Sequence, residues 1–129
     1  MATGFPASTG DVLTAGMFNG LTEFTVSTAN TNDYTAVAAD QYQVLEIMNK
    51  ATAIAFKIPT NASVPFAIGT AITVLNIGAG ICTISAVTSG TTTVLSAGAT
   101  AAQPALAQYK SAVCIKTATD TWYVVGAVA

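Results

Sequence analysis

A chain of 129 residues is long enough to bury one core of its own and too short for two comfortable domains. Only 8% of it is charged, where an ordinary soluble domain carries about a quarter; it has no His, its basic residues are four Lys, and its net charge is −2. Lys50, Lys57, Lys110 and Lys116 are scattered, which argues against a nucleic-acid groove, and the lack of His removes the usual general base near neutral pH and the commonest metal ligand.

Met1 to Gly10 is small, polar and punctuated by Gly and Pro, which favours an extended arm. It has neither the positive start nor the apolar run of a secretory signal, so synthesis in a cytoplasm is expected. Two readings of the next residues stand side by side. Thr14 can cap a short helical turn, Ala15 to Asn19, stopped by Gly20, which clusters Met17, Phe18 and Leu21. Alternatively Val12, Leu13, Met17 and Phe18 are anchors that dock on a partner. The expected division is therefore an arm, residues 1–21, whose partner-binding candidates are Phe5, Val12, Leu13, Met17, Phe18 and Leu21, and a β domain, residues 22–129.

From Glu23 onward, short runs with β-type patterning alternate with turn residues. Strands are predicted at Glu23–Ser27, Tyr42–Met48, Thr52–Ile58, Thr70–Ile77, Ile81–Val87, Thr92–Ser96, Ala112–Thr117 and Thr121–Val125. Their starts fall mostly about 8 to 12 residues apart, which predicts an all-β fold, an antiparallel β-sandwich or jelly roll with an extended N-terminal arm. In Thr52–Ile58 the residues Ile54, Phe56 and Ile58 share one face; in Ala112–Thr117, Val113 and Ile115 oppose Ala112, Cys114 and Lys116. Ala71 to Leu75 is apolar or neutral on both faces, so this strand is expected to be covered twice, by a second sheet or a second subunit. Ala97 to Ala107, broken by Gly98 and Pro104, reads as a loop.

No charged side chain occurs from Ile58 to Tyr109, and mean hydropathy is +0.58. A spanning helix needs about 20 apolar residues. Ser63, Pro65, Gly69, Thr70, Thr73, Asn76, Gly78, Gly80 and Thr83 interrupt every such window, so no membrane partner is expected.

Catalytic chemistry is hard to assemble from these residues. There is no G-x-S-x-G elbow, and no spacing selects a pair from Asp11, Glu23, Asp33, Asp40, Glu46 and Asp120, which read as solvated surface carboxylates. Neither an enzyme nor a cofactor nor a metal site is expected. Asn30, Asn32 and Asp33 form an Asx-rich turn without the Gly and Glu of a calcium loop. Gly78-Ala79-Gly80 reads as a hairpin turn, because a strand and not a helix follows it. Asn61-Ala62-Ser63 matches a glycosylation sequon short enough to arise by chance. Cys82 and Cys114 read as buried free thiols, or as a disulfide if their strands are neighbours. Of Trp122 and Tyr123, one ring should enter the core and the other an interface, since adjacent strand residues face opposite ways.

Two stretches resemble bacteriophage virion proteins. Gly10, Asp11, Val12, Leu13, Thr14 and Ala15, then Phe18, Asn19 and Leu21, resemble an opening of phage tail and fibre proteins. Val64, Pro65, Phe66, Ile68, Gly69, Thr70, Ile72 and Val74, then Gly78, Ala79, Gly80, Thr83 and Ile84, and finally Thr121, Trp122, Val124, Val125 and Gly126 resemble a small β module of phage structural proteins. The resemblance implies a virion protein similar to capsid decoration, or cement, proteins: a homotrimer on the outer capsid surface whose partner is the major capsid protein. The alternative is a tail or head fibre module recognising a host glycan, with Tyr34, Tyr42 and Tyr109 as stacking residues.

Overall fold

The computed structural model describes residues 24–96 and 104–128. The arm of residues 1–21, its helical turn and Phe5, Val12, Leu13, Met17, Phe18 and Leu21 lie outside the described residues. The described chain is almost wholly β. In order come β1 (Thr25–Val26), β2 (Tyr34–Thr35), a one-turn 3-10 helix (Ala38–Gln41), β3 (Val44–Met48), β4 (Ile54–Ile58), β5 (Ala71–Asn76), β6 (Cys82–Ala86), β7 (Thr93–Ser96), β8 (Ala105–Leu106), β9 (Lys110–Ala118) and β10 (Thr121–Gly126). Three of these were not foreseen: β2, the 3-10 helix, and β8, which occupies part of the stretch expected to be loop.

The strands form two sheets, one of order β1-β3-β5-β9-β10-β7 and one of order β2-β4-β6-β8. From β1 to β8 the chain alternates between them, so strands that follow one another in sequence never pair. Instead β1, β3 and β5 stack in parallel in the first sheet, and β2, β4 and β6 in the second. The antiparallel pairing expected from the strand spacing is thereby corrected. Parallel ladders join β1 to β3, β3 to β5, β2 to β4, β4 to β6 and β7 to β10, whereas antiparallel ones join only β5 to β9, β9 to β10 and β6 to β8. Strand spacing alone does not distinguish a hairpin return from a coil that passes through the opposite sheet.

The coil of β3 and β4 lies against that of β5 and β6 at a constant offset of 28 residues: Leu45 pairs with Thr73, Met48 with Asn76, and Ile54 with Cys82. The corner between β5 and β6 continues this stacking. A Cβ on Gly78 would lie 2.3 Å from the Lys50 nitrogen, and one on Gly80 would lie 1.8 Å from the Thr52 carbonyl oxygen. Glycine is required here by the close approach of two backbones. The Gly78-Ala79-Gly80 segment is therefore a corner between sheets and not the expected hairpin turn. The Asn76 side chain braces it, donating to the Gly80 and Leu106 carbonyls at 2.9 Å each and accepting from the Gly78 N–H at 3.1 Å.

The two sheets share one core. Ile54, Phe56, Ile58, Cys82 and Ile84 enter it from one side, and Ile72, Val74, Cys114, Trp122 and Val124 from the other. Trp122 meets Phe66 edge to face at 5.5 Å. Cys82 and Cys114 are free and buried; burial pushes their thiols up to about 11 and about 12, so both behave as apolar packing groups.

Candidate functional site

In β9 the small residues Ala112 and Cys114, together with Lys116, point into the core, and the large residues Val113 and Ile115 point outward. Outward placement of Val and Ile recurs across the sheet. One row across the strands runs Leu45, Thr73, Val113, Val125, and the next runs Ala71, Ile115, Tyr123, Leu95. Tyr123 and Val125 are 44% and 43% exposed, and Leu95 is exposed beside them. These rows hold no charged side chain. At about 4.8 Å between strands and 3.3 Å per residue, five strands of about five residues present roughly 400 Å² in projection, the size at which an apolar patch marks an interaction surface. The outer face of the other sheet is different: it presents Ala55, Lys57, Thr83, Ser85 and Ala105, and Lys57 pairs with Asp33 at 3.7 Å. Small and polar groups occupy its strands, while Ile81 and Val87, 47% and 51% exposed, flank β6 at either end. The division foreseen for Trp122 and Tyr123 holds in its first part, since Trp122 is buried and Tyr123 faces outward.

Two polar clusters are buried elsewhere. Asp40 and Glu46 are 2% and 3% exposed, which corrects their reading as solvated carboxylates. Asp40 Oδ2 accepts from the Tyr34 hydroxyl at 2.8 Å and from the Val37 N–H at 2.9 Å. Glu46 Oε1 accepts from Asn30 Nδ2 at 3.1 Å. Burial, reinforced by the neighbouring Glu46, pushes the Asp40 carboxyl up to about 7. Burial acts the same way on Glu46, but hydrogen bonds from Asp40, Asn30 and Ser27 outweigh it and hold that carboxyl below its ordinary value. The pair thus holds one shared proton in mild acid and gives it up as pH rises through about 7. Tyr34, pushed well up by burial and then by Asp40, is a donor in this network and lies against Phe56 at 5.8 Å. That engagement leaves Tyr42 and Tyr109 as the exposed tyrosines of the glycan-stacking set.

The second cluster surrounds Lys116, whose Nζ donates to Asn61 Oδ1 and to the Phe66 carbonyl. Asn61, noted in the sequence only as part of a sequon, is a half-buried partner of a buried amine. Asp120 accepts from the Asn61 N–H at 2.8 Å and from the Thr92 hydroxyl at 3.2 Å. The Asx cluster is also structural: Asn30 bridges to Met48, and Asp33 accepts from the Ala55 N–H at 2.9 Å.

Among the described residues no group of three or more His, Cys, Asp or Glu is placed to hold a metal ion, and no helix is long and apolar enough to cross a membrane. Comparison with family models, with curated proteins and with solved structures finds no match for the chain.

Proposed function

We propose that this chain is a non-enzymatic structural component of a bacteriophage virion: a capsid decoration protein that assembles as a homotrimer on the outer capsid surface and clamps the major capsid protein. The observation that carries the reading is the uncharged outer face of the six-stranded sheet, where Val113, Ile115, Tyr123, Val125 and Leu95 take outward positions while Ala112 and Cys114 fill the core. A chain selected to stay apart from its neighbours would place charge on that face. In this reading the two-sheet body supplies the contact between copies. Residues 1–21 are the extended arm, and Phe5, Val12, Leu13, Met17, Phe18 and Leu21 dock on the capsid.

Three arms on one body act at high effective concentration, so individually weak contacts add to stable attachment. Apolar burial contributes roughly 25 cal/mol per Å² before ordering costs. Such contacts resist salt because few charge pairs are available to screen. The protein is made in the host cytoplasm, and neither a cofactor, nor nucleic acid, nor a membrane enters the mechanism.

Light scattering of the purified chain, followed by co-sedimentation with undecorated capsids, tests the proposal. A trimer that sediments with capsids is expected, and deletion of residues 1–21 should abolish sedimentation while leaving the trimer intact. A monomer that ignores capsids, or a truncated form that still decorates them, would overturn the reading.

A further inference from the structure

Lys116 is 2% exposed, and its side chain runs inward from β9 on the same face as Cys114. Its Nζ lies 2.5 Å from Asn61 Oδ1 and 2.6 Å from the Phe66 carbonyl oxygen, both neutral acceptors. The ion pair found among the described residues is Lys57 with Asp33, so no described carboxylate oxygen lies within 4.0 Å of the buried amine to balance its charge. An ammonium buried without a counter-ion is costly, and the fold holds this one against a carboxamide.

A carboxyl group is also close. Asp120, in the turn between β9 and β10, receives the Asn61 backbone N–H on Oδ1 at 2.8 Å. Within an asparagine the backbone nitrogen and Cγ are at most about 4 Å apart, so this carboxyl oxygen sits within about 7 Å of the side-chain amide carbon. Trp122, paired with Lys116 across the β9–β10 ladder, and Phe66, whose own carbonyl holds the amine, wall the cluster with aromatic rings. A buried amine, a half-buried amide carbon and a half-buried carboxyl brought to one end of the core are the components of amide exchange.

We propose that Lys116 and Asn61 form an intramolecular isopeptide bond. The Lys116 ammonium gives a proton to the Asp120 carboxylate, which lies beyond 4.0 Å and so receives it through a bridging water or a side-chain shift, and the freed Nζ lone pair attacks Asn61 Cγ. The Cγ–N bond then breaks as that nitrogen takes up the proton Asp120 held and leaves as ammonia; the second proton, still on the attacking Nζ, passes to Asp120 and on to the ammonia, which departs as ammonium. Ammonium and primary amide become secondary amide and ammonium ion, with no other reactant consumed. The product removes a buried charge and ties the segment after β4 covalently to β9. This inference is independent of the virion reading and stands or falls apart from it.

Intact-mass spectrometry of the purified full chain decides it. The expected mass is about 17 Da below that of the sequence, one ammonia. Trypsin should fail to cut after Lys116 and should release a branched peptide containing Asn61. Lys116→Met and Asn61→Ala should restore the full mass, and so should Asp120→Asn in a chain whose circular dichroism shows it folded. Full mass in the unaltered chain overturns the proposal without recourse to any variant. Loss of ammonia with normal cleavage after Lys116 also overturns it, because that pattern belongs to a succinimide at Asn61.

Discussion

Asp40 and Glu46 place opposite demands on pH. A native carboxyl held up to about 7 keeps its proton after the unfolded chain has lost it, so stability is complete below an ordinary carboxyl value near 4 and declines as pH rises toward 7. Glu46 behaves inversely, since its lowered value makes the fold lose stability as pH falls through it. The melting temperature should therefore be highest in mild acid and fall between about pH 5 and pH 8. Asp40→Asn mimics the protonated form: its carbonyl can accept from Tyr34 and Val37, and its amide can donate to Glu46. The variant should flatten the acid-to-neutral slope and be more stable at pH 8 by about 1–3 kcal/mol, as measured by urea unfolding at several pH values. Neither carboxyl was distinguishable in the sequence. Their burial depends on a 3-10 turn and on β3 facing inward, and both depend on pairing partners distant in the chain.

At the scale of elements, the corners matter as much as the strands. A methyl group on Gly80 would overlap the Thr52 carbonyl of the coil beneath, so Gly80→Ala must separate the two corners and should cost about 2–4 kcal/mol, seen as a lower urea midpoint. Gly90, with open space around its position, is the control: Gly90→Ala should leave the midpoint within about 0.5 kcal/mol. Most strands were legible in the sequence because alternation or a neutral apolar run marks them, and β4 faces as its pattern predicts. The coil was not legible. When residues 45–58 are set against 73–86, only Ala51 and Ala79 coincide, because what repeats is the inward and outward alternation and the corner geometry. In β9 size misleads, since an inward residue there must fit beside Trp122 and the space left is small.

Over the whole molecule, the two outer faces differ in kind. Ile115→Lys places a charge in the middle of the apolar face and leaves the core residues untouched. If the proposed homotrimer forms through this face, the variant should be monomeric by light scattering while the monomer's own stability changes by no more than about 1 kcal/mol. Lys57→Ala on the opposite sheet, which removes only an exposed ion pair, should leave assembly unchanged. The sheet order also governs when the molecule can be completed. β7 has no partner in its sheet until β10 arrives, and the far edge of β5 stays open until β9 arrives, so the last strands of the chain close both. A polypeptide emerging from the ribosome can wind its early coils one on another, yet it carries two unpaired strand edges until β9 and β10 are free. Folding is thus gated by β9 and β10, and the interval before they emerge is when a nascent chain is most exposed to pairing with the wrong neighbour.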